Sequence, residues 1–396
     1  MTHYSLPPMV KQNEEEMLFW KNRINPAKPG MVSELRYAGC LLLRFKFLGD
    51  ISDLQKADST LRKIDADFNH KEASVYLSLA SCSITHHRFN EADSFLQSAK
   101  QLGLRPYESI SSSFDVDFEL GRYRSAGREV NLLVSPNDYG YFFRKSKMQH
   151  LQGEIDSAIS SMLKAASLDD GNDYLKDVAL ANTADLYLHN GDFEKANDLY
   201  VTCIKLNCAD FHSLSGLGWI ALVHDHDIQL SEKIFAFIRS KNKLPDPLFR
   251  LEGAQEATGN IAQQKRYAEE FVKQVSNPVY GNMYNKYLIE LYTGVLNDKS
   301  KAKAIATTEL RNRPTPQTFA WFAWALALNN EKDTAYEIYK HHVSGKPLEP
   351  LELYWMGKLM LILDKRYNAN EFFKAAYKNK YDLSPRIADD LKTHLE

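Results

Sequence analysis

The stretch Asn190-Gly191-Asp192-Phe193-Glu194-Lys195-Ala196 decides how the whole chain is read. A Gly-Asp pair is followed by an aromatic residue, and a small residue stands three positions after that aromatic. Glycine ends a helix by taking left-handed backbone without strain, and an aspartate just after it caps the next helix. The stretch therefore predicts helix, turn, helix. Its flanks agree. Upstream, Leu180, Thr183, Ala184 and Tyr187 share one face at helical spacing over Val178 to His189. Downstream, Ala196, Leu199, Tyr200 and Cys203 share a face from Phe193 to about Lys205.

The same frame recurs along the chain. Arg88-Phe89 leads to Ala92, Gly121-Arg122-Tyr123 to Ala126, Gly153-Glu154-Ile155 to Ala158, Asn329-Asn330 to Ala335, and Arg366-Tyr367 to Ala369. Weaker copies put Ala57, Ser231, Gln264 and Ala302 at the small-residue anchor. The ten anchors recur at a mean interval of about 34.7 residues, the period of a two-helix repeat. The anchor is small because two helices cross there most closely. Bulkier residues such as Phe193 and Tyr200, or Phe89 and Leu96, fill the space on either side. Prolines that cannot continue a helix mark unit boundaries at Pro106, Pro136, Pro245, Pro278, Pro314, Pro347 and Pro385.

Over roughly residues 33–383 this pattern resembles the tetratricopeptide repeat (TPR) family. The tenth unit fits at Leu353, Met356, Gly357, Met360, Ala369, Phe373 and Ala376. The ninth fits at Phe319, Phe322, Ala323, Ala335, Tyr339 and Pro347. The resemblance implies an all-α fold, an α-solenoid wound as a right-handed superhelix of about ten helix-turn-helix repeats. It divides the chain into a lead-in and capping helix at 1–32 (the helix from Asn13 to Arg23), repeats one to five at 33–209, repeats six to ten at 210–383, and a tail at 384–396. The sixth and seventh units depart most. With Ser231 and Gln264 at the anchor, they are expected to cross more widely or slip register. The first unit carries extra residues, Gly49-Asp50-Ile51-Ser52-Asp53, expected between its helices.

Composition narrows the function. Lys+Arg 49 against Asp+Glu 51 leaves a net charge of -2, which disfavours a basic nucleic-acid binder. Gly 18 and Pro 14 are too few for a turn-rich β fold. Cys40, Cys82, Cys203 and Cys208 form no CxxC pair and read as small apolar residues. The longest apolar run, Phe319 to Leu328, is too short to span a bilayer. The start, MTHYSLPPMVKQNEEEMLFWK, has no basic segment followed by an apolar one. The chain as written thus reads as cytoplasmic, with a periplasmic or exported place only if a leader has been removed.

The family resemblance implies a non-catalytic scaffold that binds a protein or peptide along the concave groove lined by the first helix of each unit. An exported or periplasmic accessory protein serving an enzyme or membrane partner is the alternative. Groove positions in the early units are small or acidic, as at Ser74, Ser78, Ser81, Ser111, Ser112 and Asp115. Next come Arg144 and Lys147, then Asn182 and Asp185. The later units turn aromatic, with Trp219, Tyr284, Tyr287, Trp321, Trp324, Tyr354 and Trp355, and with Lys358 beside them. Exposed rings of this kind favour binding hot spots; packed between helices, they would belong to the core. Some TPR proteins hold a partner's terminal carboxylate with Asn and Lys/Arg on adjacent first helices. Asn182 beside Arg144 and Lys147 resembles part of that arrangement, but the next unit offers His212, Ser215 and Gly216 instead. No phosphate loop, HExxH or GxSxG is present, so no cofactor, metal or catalysis is expected. The metal-like string His224-Asp225-His226-Asp227 falls where a polar turn belongs.

Overall fold

The computed structural model describes residues 7–25, 27–28, 30–168 and 171–396, apart from the side chains of Arg366 and Tyr367. The first six residues of the start read for a leader, and the Arg366-Tyr367 pair read before Ala369, fall outside those descriptions. Among the described residues the fold is helical throughout, with no strand and with no helix long and apolar enough to cross a membrane.

The helices pair into ten hairpins. The first three are α2/α3 (Met31–Leu48, Ile51–Asp67), α4/α5 (Ala73–Thr85, Phe89–Leu102) and α6/α7 (Pro106–Glu119, Tyr123–Leu132). Then come α8/α9 (Tyr139–Leu151, Ile155–Ala166), α10/α11 (Asp173–His189, Phe193–Leu206) and α12/α13 (Phe211–Val223, Ile228–Lys241). The last four are α14/α15 (Asp246–Thr258, Ile261–Val275), α16/α17 (Asn285–Thr293, Lys299–Asn312), α18/α19 (Pro316–Leu328, Lys332–Ile338) and α20/α21 (Pro350–Ile362, Arg366–Lys378). Helices α1 (Pro8–Lys21) and α22 (Pro385–Leu395) cover the two ends. Asn13 on α1 donates to the Cys40 carbonyl at 3.0 Å, which ties the first cap to α2.

One backbone device sets the repeat. Each hairpin turn holds one residue at positive φ: Gly49, His87, Gly121, Gly153, Gly191, His226, Gly259, Asn297, Asn330 and Asp364. In units two to ten that residue stands five positions before the anchor. Glycine suits the conformation, and Asn, Asp and His are the side chains that tolerate it best. At the deciding stretch Gly191 lies at φ 79° and Asp192 accepts from the Lys195 amide. The ten anchors are buried, and all but Gln264 are fully so.

Three expectations need correction. Helix α10 begins at Asp173, well before Val178, because the Asn172 side chain caps it through the Leu175 amide. The extra residues of the first unit do not widen its turn; Gly49 and Asp50 make a tight turn and the additions lengthen α2 and α3. The sixth and seventh units keep register. Ser231 is fully buried, facing a helix whose Gly218 leaves room for Phe235 and Ile234. Gln264 turns its amide to Glu252 at 2.8 Å, replacing close contact with a buried hydrogen bond.

The array winds tightly enough that its later units lie against its earlier turns. Lys243 donates from its backbone to the Leu48 carbonyl at 3.0 Å and from its side chain to Asp50 at 2.7 Å. Asn312 accepts from the Phe89 amide at 3.2 Å and donates to the His87 carbonyl at 2.8 Å. Tyr123 reaches Gln317 at 3.2 Å, and Asn379 donates to the His189 carbonyl at 2.8 Å. These bonds form a seam along one side of the concave groove, which makes it a passage partly walled by successive turns.

Candidate partner-binding lumen

The passage is a chain of cavities that share walls. One of about 510 Å³ is lined by Lys46, Asn182, His212, Asp246, Arg250 and Tyr287, among others. A second of about 370 Å³ shares Arg250 and Tyr287 and adds Trp219, Phe249, Glu290, Trp324, Tyr354 and Trp355. Toward the seam, a third of about 320 Å³ shares Asn182 and adds Lys147, Asp185, His150 and Glu349. Nearly all these residues come from first helices, as a groove requires.

Its polar groups are mostly paired. On α10, Asp185 accepts from the Tyr200 hydroxyl at 2.6 Å and lies 2.8 Å from His212 Nε2. Tyr200 can reach it because Gly216 stands on the facing helix, where any Cβ would overlap the tyrosine ring. Burial pushes the Asp185 carboxyl up, but His212 and Tyr200 outweigh it and hold it below the usual range. Asp185 in turn pushes His212 up to about 9. Tyr284 donates to Asp246 at 2.7 Å, yet burial still raises that carboxyl. Lys286 lies 3.2 Å from the fully buried Glu352, which also accepts the Trp321 indole N–H at 2.6 Å. Burial raises Glu290 to about 7.

Arg250 is different. It lies in the field of Asp185, Asp246 and Glu290. Its guanidinium rests on the Trp219 ring, 4.4 Å from the centroid, and makes no hydrogen bond or ion pair to a described residue. Trp219 is itself fixed, its indole N–H donating to the Tyr381 carbonyl at 2.7 Å. A half-buried cation with its N–H donors unspent, facing two cavities, can donate to a carboxylate placed there.

The residues singled out from the sequence divide into three groups. Asn182, Asp185, Trp219, Tyr287, Trp324 and Tyr354 line the passage. Trp321 and Tyr284 do not; they are 3% and 6% exposed, and their polar atoms are taken by Glu352 and Asp246. For them the exposed stripe is corrected to core, because a ring between two adjacent first helices is covered from both sides. The cations form the third group. Arg144 is bidentate to Asp115 at 2.9 and 2.6 Å, Lys147 lies 3.4 Å from Glu119, and Lys358 lies 3.1 Å from Asp390 on α22. The string His224 to Asp227 builds a turn: His226 takes positive φ and Asp227 caps α13.

Arg250, Lys286 and Glu290 were not foreseen. Arg250 had a legible signal. It stands fourteen positions before its anchor Gln264, where Arg144 stands before Ala158 and Asn182 before Ala196.

No protein-family model matches the sequence, and no curated protein sequence matches it. Among solved structures, a tetratricopeptide repeat protein from Parabacteroides merdae is similar at 16% identity, covering 73% of this chain and 98% of its own, with a TM-score of 0.36. Yeast Tom70 is similar at 12% identity over 90% of this chain and 96% of its own, with a TM-score of 0.39. YrrB, described as a TPR protein with an unusual peptide-binding site, is similar at 17% identity over 46% of this chain and 89% of its own, with a TM-score of 0.28. What places this chain as an α-solenoid of tetratricopeptide-like hairpins is its own ten turns and ten buried anchors.

Proposed function

We propose that the chain is a non-catalytic scaffold that binds a protein partner through an extended peptide segment lying in the lumen. The observation that carries this reading is Arg250, a cation with no bonded partner among the described residues, between two joined cavities in which the rings of Phe249, Tyr287 and Tyr354 stay partly exposed while Trp219, Trp324 and Trp355 are buried in the wall. The guanidinium fork takes a carboxylate, from an acidic side chain or a chain terminus, and the ring faces take apolar side chains beside it. Asn182, Asp185 and Tyr354 are further contacts along the same passage. Cavities of about 320 to 510 Å³ joined end to end favour an extended segment over a folded domain.

Selection of a phage-displayed random peptide library on the full chain supplies the probe. The selected peptides are expected to be acidic with neighbouring apolar residues. Fluorescence polarisation is expected to show at least a tenfold loss of affinity with Arg250→Gln, in line with about 1.5–3 kcal/mol for a charge-assisted hydrogen bond. Helicity and thermal midpoint should stay as in the wild type. A library that yields no binder, or a binder indifferent to Arg250→Gln, would overturn the reading.

A further inference from the structure

Of the clusters of potential metal ligands, one is already held by a guanidinium and a second is satisfied in part. At Asp58, Cys82 and His86 the Arg88 guanidinium already lies 2.8 Å from Asp58 and 3.0 Å from His86. At Asp177, Cys203 and Asp210 the thiol donates to the Asp177 carbonyl at 3.7 Å, Asn207 holds one Asp177 oxygen, and Asp210 caps α12; the second oxygen of each aspartate is buried and unpaired among the described residues, but burial pushes the thiol up and keeps it from serving as a thiolate ligand.

The third cluster is open. His150 lies in the last turn of α8, His189 ends α10, and Glu349 stands just before α20 without a side-chain capping bond. One ligand atom from each lies within 4.8 Å of the others. All three line the cavity nearest the seam, so an ion has a path to them from the lumen. The rings of His150 and His189 sit edge to face at 4.9 Å. The Glu349 carboxylate makes no hydrogen bond or ion pair to a described residue. His189 Nδ1 is held by Asp382 at 2.5 Å, which leaves the other ring nitrogen to ligate. A carboxylate fixing the far nitrogen of a ligating histidine is the usual outer shell of a zinc site.

We propose that His150, His189 and Glu349 bind a zinc-class divalent ion, with Asp382 as the positioning residue for His189. Two imidazoles and one carboxylate are a sufficient protein set for tetrahedral zinc, with water in the fourth place. Ligand atoms of such a site stand about 3.4 Å apart, which modest side-chain rotation reaches from the present spacing. The ion would tie the fourth and fifth units to the tenth and so fasten the seam. It requires no partner in the lumen, so it stands or falls apart from the peptide-binding reading.

The test is zinc titration of the chelator-treated full chain against a chromophoric competitor, with cobalt as the spectroscopic probe. One equivalent per chain is expected, with tetrahedral cobalt bands in the visible and a rise in thermal midpoint on adding zinc. His189→Ala should abolish all three. Glu349→Gln, which breaks no protein contact and should fold normally, should weaken binding at least tenfold. Asp382→Asn should weaken it 10- to 100-fold. His224→Gln/His226→Asn, which removes two exposed imidazoles and keeps a residue that tolerates positive φ in the turn, should leave zinc binding unchanged. Equal zinc affinity in the wild type and Glu349→Gln, or loss of the bound equivalent in His224→Gln/His226→Asn alone, would overturn the proposal.

Discussion

Arg144 in the fourth unit and Arg250 in the seventh hold the same place in their repeats, fourteen positions before the anchor, and behave oppositely. Arg144 is locked by both oxygens of Asp115 and also donates to the Gly140 carbonyl at 3.1 Å. Arg250 lies on Trp219 without a bonded acid among the described residues. The cause lies one unit back. Asp115 stands eleven positions before its anchor Ala126, and in the sixth unit that place belongs to Ile220. A repeat frame thus fixes where a side chain points, and its neighbour in the preceding unit fixes whether it remains available.

The same frame position carries Trp321 in the ninth unit, where the side chain has become core. Trp321→Ala is expected to have the largest effect. It leaves a cavity and strips the buried Glu352 of its indole donor, costing about 3–5 kcal/mol. Circular dichroism melts should show it, and a midpoint within a degree of wild type would return Trp321 to the binding surface.

The seam comes next. Asn312→Ala removes the acceptor of the Phe89 amide and the donor to the His87 carbonyl, leaving buried groups unpaired. A loss of about 1–3 kcal/mol in urea unfolding is expected. Faster hydrogen exchange should appear at the amides of α5 and α17. Unchanged exchange would mean that the seam bonds hold nothing.

The paired arginine should matter less. Arg144→Gln should cost about 1 kcal/mol or less, because the Asp115 pair is partly exposed. It should leave peptide affinity alone. A smaller effect still comes from pH. Asp185 raises His212 to about 9, above its unfolded value of about 6.5, so folding favours the protonated ring. The stabilisation is therefore complete below about pH 6.5 and is lost as pH rises through about 9. With His212 exposed and Asp185 half-buried, solvent screening should keep it under about 1 kcal/mol. The alkaline fall in thermal midpoint should shrink in His212→Gln; an identical fall would dissociate it from this pair.

The fold was legible because its signals are local. Gly191-Asp192 names a turn, Ala196 names a crossing, and recurrence turns weak copies into an array. The lumen was legible only in part. Asn182, Asp185 and Trp219 follow from the frame. The sequence does not show that Lys243 meets Leu48, or Asn312 meets His87, across some 200 residues, since winding depends on small rotations summed over many crossings. That closure also brings Glu349 to His150 and His189. The aromatic stripe was ambiguous for a related reason. Trp321 and Trp324 both read as groove, and only the position of Glu352 on the next first helix decides that Trp321 faces it.

The most direct test of the account compares the two arginines side by side. The affinity of one selected acidic peptide is measured for wild type, Arg250→Gln and Arg144→Gln at equal ionic strength. The account predicts at least a tenfold loss for Arg250→Gln and none beyond twofold for Arg144→Gln. Equal losses, or a larger loss for Arg144→Gln, would contradict it.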